Sequence, residues 1–310
     1  MTPRRQLAAG LTLLVIMNGC RVQARPIVAS SRPDSTLLAE RTAALQARIA
    51  HPDSAKPDAP IARWNLPSSL SEISGLGLTG DGRLLTHGDS RGKIVELDYR
   101  RGVVLKEFLV GAPPAHGDFE AITLVGDMLV LLASDGVLYL FAEGANATSV
   151  PFTTYDTGLG ERCEFEGLAY ESTVKTLLLA CKKVHVKALR DSLIVYRVPI
   201  EMVTTAGKGG GKKLSYLAVP LSRIIGSNEW TTLHPSDITI DPFNGNYVFV
   251  ASMEKALFEI TPAGALVFAR SLPPGHDQAE GVAITKDSIL IISDEAKVGP
   301  ALLTLYRWRQ

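Results

Sequence analysis

The chain has 310 residues, 46% of them apolar, with 32 basic and 32 acidic side chains that cancel to a formal charge near zero. That length supports one large or two ordinary domains with a sizeable core. The balanced charge argues against a nucleic-acid partner, which would call for a basic surface.

Arg4 and Arg5 form a short basic region, and Leu7 to Met17 is apolar but too short to span a bilayer. The run ends in Met17-Asn18-Gly19-Cys20, similar to a bacterial lipoprotein lipobox in which Cys20 is lipidated and becomes the mature N-terminus. Residues 1–20 are therefore expected to be a signal segment. A secretory signal with a chance cysteine is the alternative. The expected location is the periplasmic side of a bacterial envelope, lipid-anchored, with the outer membrane favoured. Residues 21–59, rich in Ala, Pro, Ser, Asp and Arg, read as a linker. Within it Ser35 to about Ala50 is expected to be helical, with Leu38, Leu45 and Ile49 on one face, before Pro52, Pro57 and Pro60.

From residue 60 to 310 the signal is β. Short apolar or alternating runs are separated by turn dipeptides such as Arg101-Gly102, Gly126-Asp127 and Asn244-Gly245. The runs are 73–78, 83–88, 93–98 and 103–109, then 120–125, 128–133, 137–141 and 149–155. They continue at 166–171, 176–181, 192–198 and 214–219, and then at 237–241, 246–251, 256–260 and 265–270. The last set is 281–285, 288–293 and 302–307. Four strands per repeat is the blade of a β-propeller. The last set lacks one strand, and Ile61 to Leu66 is left over at the start to complete it. The expected fold is an all-β, five-bladed β-propeller of four-stranded antiparallel blades. A sixth, degenerate blade between Ile200 and Pro235 and an open β-solenoid are the alternatives. The Gly207-to-Lys213 segment reads as a solvated hairpin, because it lacks the Ser or Thr of a phosphate-binding loop.

An acidic marker opens each repeat: Glu72, Glu120, Glu166, Asp237 and Glu280, in steps of 48, 46, 71 and 43 residues. Periods in the forties suit propellers. A second marker follows each first one by 14 to 17 residues, at Asp89, Asp135, Lys182, Glu254 and Asp294. First strands line a propeller's channel, so the first markers are expected to converge on one mouth. The second, at the ends of the adjacent strands, should join them with Glu295. Such a carboxylate set must take up protons or cations, and oxygen donors suit Ca²⁺. Glu72, Glu120, Glu166, Asp237, Glu280, Asp89, Asp135, Glu254, Asp294 and Glu295 are thus candidate metal ligands. Arg91, Lys182 and Lys255 are candidate contacts to an anionic ligand. The competing reading is structural, with the repeated acids only accepting backbone amides of the next blade. His87, His116, His234 and His276 lie near the markers, where a transition metal is conceivable. Cys163 and Cys181 either pair or are separate thiols. No Gly-x-Ser-x-Gly elbow marks a serine hydrolase.

Glu72-Ile73-Ser74-Gly75-Leu76, Asp118-Phe119-Glu120, Glu164-Phe165-Glu166-Gly167-Leu168, Leu178-Leu179-Ala180-Cys181-Lys182, Pro235-Ser236-Asp237-Ile238 and Glu280-Gly281-Val282 together resemble the SdiA-regulated (YjiK/CarP-like) propeller family. The resemblance runs from Ile61 to Trp308. It implies an envelope-anchored propeller, Ca²⁺ binding and a link to calcium homeostasis, and a likeness to phytases and esterase-like phytases. The expected partner is therefore a small ligand or divalent cation, with an envelope protein as a further candidate and the membrane reached through the lipid alone. Three activities stay open: a binding protein, a Ca²⁺-dependent phosphoester hydrolase, and a periplasmic scaffold. Two departures bear on metal number. Ala121 stands where the family has Gly, and Thr86-His87-Gly88-Asp89 lacks the double acid seen in Asp294-Glu295.

Overall fold

A computed structural model describes residues 35–51, 58–205, 214–226 and 228–308. The lipobox with Cys20 and the Gly207-to-Lys213 segment lie outside the described residues.

A helix, α1 (Ser35–Ala50), opens the described chain, followed by a short strand, β1 (Ala62–Asn65). Blade 1 is built from β2 (Ile73–Leu78), β3 (Leu84–Gly88), β4 (Lys93–Asp98) and β5 (Val103–Val110). Blade 2 starts with β6 (Phe119–Val125), β7 (Met128–Ala133) and β8 (Val137–Ala142). The run expected at 149–155 divides. Its first two residues, β9 (Ser149–Val150), lie parallel to β5 on blade 1, and β10 (Phe152–Asp156) completes blade 2.

Blade 3 comprises β11 (Cys163–Glu171), β12 (Thr176–Val184), β13 (Ser192–Pro199) and, after the helix α2 (Ile200–Thr205), β14 (Ser215–Pro220). A five-residue helix, α3 (Leu221–Ile225), leads to blade 4: β15 (Asp237–Ile240), β16 (Tyr247–Ala251), β17 (Ala256–Ile260) and β18 (Leu266–Ser271). Blade 5 is β19 (Ala279–Ile284), β20 (Ile289–Asp294) and β21 (Leu302–Arg307), with β1 as its fourth strand. The long third-to-fourth step is thus an outer-strand excursion with two short helices, and the sixth-blade alternative falls.

β1 pairs antiparallel with β21, Ala62 opposite Leu305 and Asn65 opposite Leu302, so the first and last strands share one blade. The inner strands touch in the order β2, β6, β11, β15, β19 and back to β2. Closure in this way leaves each sheet only its short inner edge at the axis and its outer edge at the rim.

Five apolar clusters fill the five wedges between neighbouring blades. Middle strands are covered on both faces, which is why β7 (Met-Leu-Val-Leu-Leu-Ala) and β16 (Tyr-Val-Phe-Val-Ala) read as continuous apolar runs. The outer strand β18 is largely exposed. The wedge between blades 5 and 1 also receives α1. Leu45 is buried there and Ile49 partly so, while Arg41 lies over the Trp64 ring, 5.1 Å from its centroid. The helix predicted inside the linker therefore docks on the propeller.

Candidate functional site

The side chains at the channel mouth are aimed by β-bulges. In β6 paired with β7, β11 with β12 and β19 with β20, one extra residue interrupts the ladder. The residues skipped on the inner strands are Glu120, Glu166 and Glu280, and Lys182 is skipped on β12 opposite β11. A bulge re-aims the side chain it carries, and here it turns each glutamate out of the strand alternation. Blade 1 has a bulge over Ser74-Gly75, and in blade 4 Ser236 holds the matching place just before β15.

Lys182 stands among the three glutamates. Its ammonium donates to Glu166 Oε1 and interacts with the Glu280 and Glu120 carboxylates. Glu166 is only 4% exposed. Burial pushes its carboxyl up to about 8, against the pull of Lys182, and nearby Glu280 and Glu164 add to the rise. Burial, then Glu166 and Asp118, push Glu120 up to about 9. Glu280 is raised by burial and by Glu295, with the Lys182 charge and then the Gln278 and Ser236 hydrogen bonds opposing. Glu295 is raised by burial and by Asp89 and Glu72. Although burial pulls the Lys182 ammonium down, Glu166, Glu280 and Glu120 together raise it. The cluster holds three carboxyls against one ammonium, so at neutral pH it retains protons or takes a further cation.

The predicted markers do not all stand in this ring. Aligned on the apolar residue after each bulge (Leu76, Ile122, Leu168, Ile238 and Val282), Asp237 falls one place beyond the glutamates, in register with Gly75, Ala121, Gly167 and Gly281. It is 1% exposed and accepts backbone amides, the role of the structural reading. Glu72 lies in the exposed turn before β2, at the rim near Glu295.

The second markers separate as well. Asp294 is buried and accepts from His276 Nδ1 at 2.7 Å, while His276 Nε2 meets the Tyr306 hydroxyl at 2.7 Å. Glu254 is held by Thr232 and by the amide and ring of His234. Asp135 is exposed and accepts the Val137 amide of its turn. Asp89 faces the Glu295 side, with Oδ1 buried and lacking a hydrogen-bond partner. Lys255 pairs with exposed Asp277 at 3.1 Å, and exposed Arg91 bridges to the His116 backbone. The histidines do not form one group: His87 is buried inside blade 1 and pushed down to about 4 by burial, so it is neutral, and His116 is exposed.

Cys163 and Cys181 form a disulfide, Cα to Cα 5.7 Å, joining β11 and β12 beside the Glu166 bulge. Four mouth residues lay outside the predicted set: Asp118, Glu164, Ser236 and Gln278. Aligning the repeats on the apolar residue instead of the acid would have shown Ser236 in the glutamate position.

The described residues include no group of three or more His, Cys, Asp or Glu side chains gathered closely enough, as they stand, to hold one metal ion. Lys182 occupies the middle of the carboxyl set instead. The donor chemistry around it is all oxygen and suits a hard cation. At the far end of the channel the hairpin turns line a separate cavity of about 650 Å³, with Asp81, Tyr99, Arg100, Tyr170, Lys286 and Asp287 among its walls. No helix among the described residues is long and apolar enough to cross a membrane.

No protein-family model matches the sequence, and no curated protein does. Solved structures do match. Myxococcus xanthus glutaminyl cyclase is 14% identical over 80% of this chain and 94% of its own, with a TM-score of 0.51. The PQQ-bound aldose sugar dehydrogenase of Streptomyces coelicolor is 15% identical over 80% and 99%, at 0.46. Virginiamycin B lyase from Staphylococcus aureus is 12% identical over 79% and 73%, at 0.40. At these identities a likeness carries the fold alone: the chain is a five-bladed β-propeller.

Proposed function

We propose that this propeller is an envelope-anchored protein that binds a small hard cation, Ca²⁺ first among them, at the acidic mouth of its channel. A link to calcium homeostasis would follow from that role. The observation that carries the proposal is the Glu120–Glu166–Glu280 set, turned to one mouth by three bulges with a single ammonium among them. Glu120, Glu166 and Glu280 would hold the ion, with Ser236, Gln278 and Glu295 at the side. A bound divalent ion supplies the positive charge that lets the raised carboxyls ionise. Lys182 has to leave Glu166 for this, and its partly exposed side chain gives it room to swing outward.

Binding near pH 7 therefore releases protons from Glu120 and Glu166. Calorimetry in two buffers of different ionisation heat measures that release. Saturable binding with proton release, weakened by Glu166→Gln, is the expected result. Neither heat nor a melting shift at millimolar Ca²⁺ would end the proposal.

A second reading is a phosphoester hydrolase. Its supporting feature is that burial raises the Glu120 and Glu166 carboxyls beside Lys182, toward the protonated form a general acid requires. Phosphate release from p-nitrophenyl phosphate that needs Ca²⁺ and is lost in Glu166→Gln would favour it. A scaffold role predicts instead that capture of an envelope partner survives both chelator and Glu166→Gln.

A further inference from the structure

The five inner strands meet closely at one level of the axis. A methyl group added at Gly75 would stand 2.7 Å from the Ala121 Cα, and one at Gly281 would stand 2.8 Å from the Ser74 carbonyl oxygen. One at Gly167 would lie 3.0 Å from the Ile238 nitrogen. Blades 1, 2, 3 and 5 accordingly carry Gly75, Ala121, Gly167 and Gly281 at this level, and blade 4 alone carries a polar side chain, Asp237.

An innermost strand has no neighbour on its axial side, so its axial amides lack ladder partners. Asp237 accepts amides of blades 4 and 5 and is approached by those of blades 1 and 3. Its Oδ2 accepts from the Val282 amide at 2.9 Å and its Oδ1 from the Ile238 amide at 2.8 Å. The Leu76 and Leu168 amides also act on the same carboxyl, and with the other two oppose the burial that raises it well above the ordinary carboxylate range. Converging backbone N–H groups are the ordinary construction of an anion site.

We infer that the axial amides of Leu76, Leu168 and Val282 form a carboxylate cradle, filled in this chain by Asp237, and that emptying it creates a binding site for a small monocarboxylate such as formate. Leu168 and Val282 are each two residues past a bulge glutamate, Glu166 and Glu280. Asp237 is thereby a positioning residue, because pinning those amides holds the bulges that aim the mouth. The cradle stands whether or not the mouth binds a cation.

The test uses Asp237→Gly, which restores the residue of the other blades, and Asp237→Leu, which fills the space without an acceptor. Removing the acceptor lowers the melting temperature of Asp237→Gly by about 5–10 °C. Sodium formate in the tens of millimolar should restore at least half of that loss. Sodium chloride at equal ionic strength should not, and formate should leave the native chain and Asp237→Leu unmoved. If Asp237→Gly does not accumulate as soluble protein, its refolding yield in formate against chloride gives the same readout. An undiminished melting temperature in Asp237→Gly, or formate acting no better than chloride, overturns the inference.

Discussion

Replacing Glu120 by Gln should make the protein more stable at alkaline pH, the reverse of what loss of a paired acid does. The Glu120 carboxyl rises from an ordinary 4.5 to about 9 in the fold, mainly through burial and then through the Glu166 charge. A raised carboxyl favours folding while it is protonated. Its contribution is full below 4.5 and is lost as pH climbs toward 9, because over that window the folded state binds the proton that the unfolded chain has released. At pH 7.5 the cost relative to acid is three pH steps of about 1.4 kcal/mol each, a ceiling of roughly 4 kcal/mol. Water reaching the mouth and coupling to Glu166 reduce this, and about 2 kcal/mol is the working figure. Glutamine keeps the shape without the titration. Glu120→Gln should therefore match the native protein near pH 4.5 and melt about 4–8 °C higher near pH 8. Thermal or urea melts of both proteins from pH 4.5 to 8.5, without divalent ions, measure the difference. A variant less stable than the native chain at pH 8, or a gap independent of pH, would refute the account of the mouth.

Three further outcomes follow from the same structure. Lys182→Met removes the tethered ammonium beside Glu166, so Ca²⁺ affinity should rise by about tenfold or more, equivalent to about 1.4 kcal/mol, in calorimetry; unchanged or weaker binding would contradict the placement of Lys182 in the cation's seat. Leu45→Ala, which opens the α1 contact with the wedge between blades 5 and 1, should cost about 2–3 kcal/mol in urea melts and speed protease cleavage in α1; a loss within a few tenths would mean the helix contributes no packing. Gly281→Val drives a branched side chain into Ser74, Leu76 and Ser293, and should lower stability by more than about 3 kcal/mol or prevent folding, where the same change at Gly80, with open space around it, should be far milder. Circular dichroism melts of the two glycine variants separate these cases.

The propeller itself was legible in the residues. Strand runs and turn dipeptides gave four strands per repeat, and the unpaired segment near Ile61 gave the closure that β1 and β21 make. Local alternation and turn chemistry decide those features within a few residues of each strand. The acidic marks were legible as a set but not as a ring. Glu120, Glu166 and Glu280 point to the mouth because each is the extra residue of a bulge, whereas Asp237, one register further on, points into the axis. Since successive side chains in a strand alternate between faces, a shift of one place changes an acid's destination. The sequence does not mark where a bulge falls.

What the residues alone determined is the blade, its repetition and the chemical character of the inner-strand starts. Those depend on short-range propensity and on burial that each repeat needs equally. Only the tertiary structure decided which acids meet, because that depends on bulges, on the close approach at Gly75, Gly167 and Gly281, and on a lysine brought beside Glu166 from the next strand. Burial and neighbouring charge exist only after the ring has closed. The raised carboxyls of the mouth are therefore a property of the assembled disc, not of any one repeat.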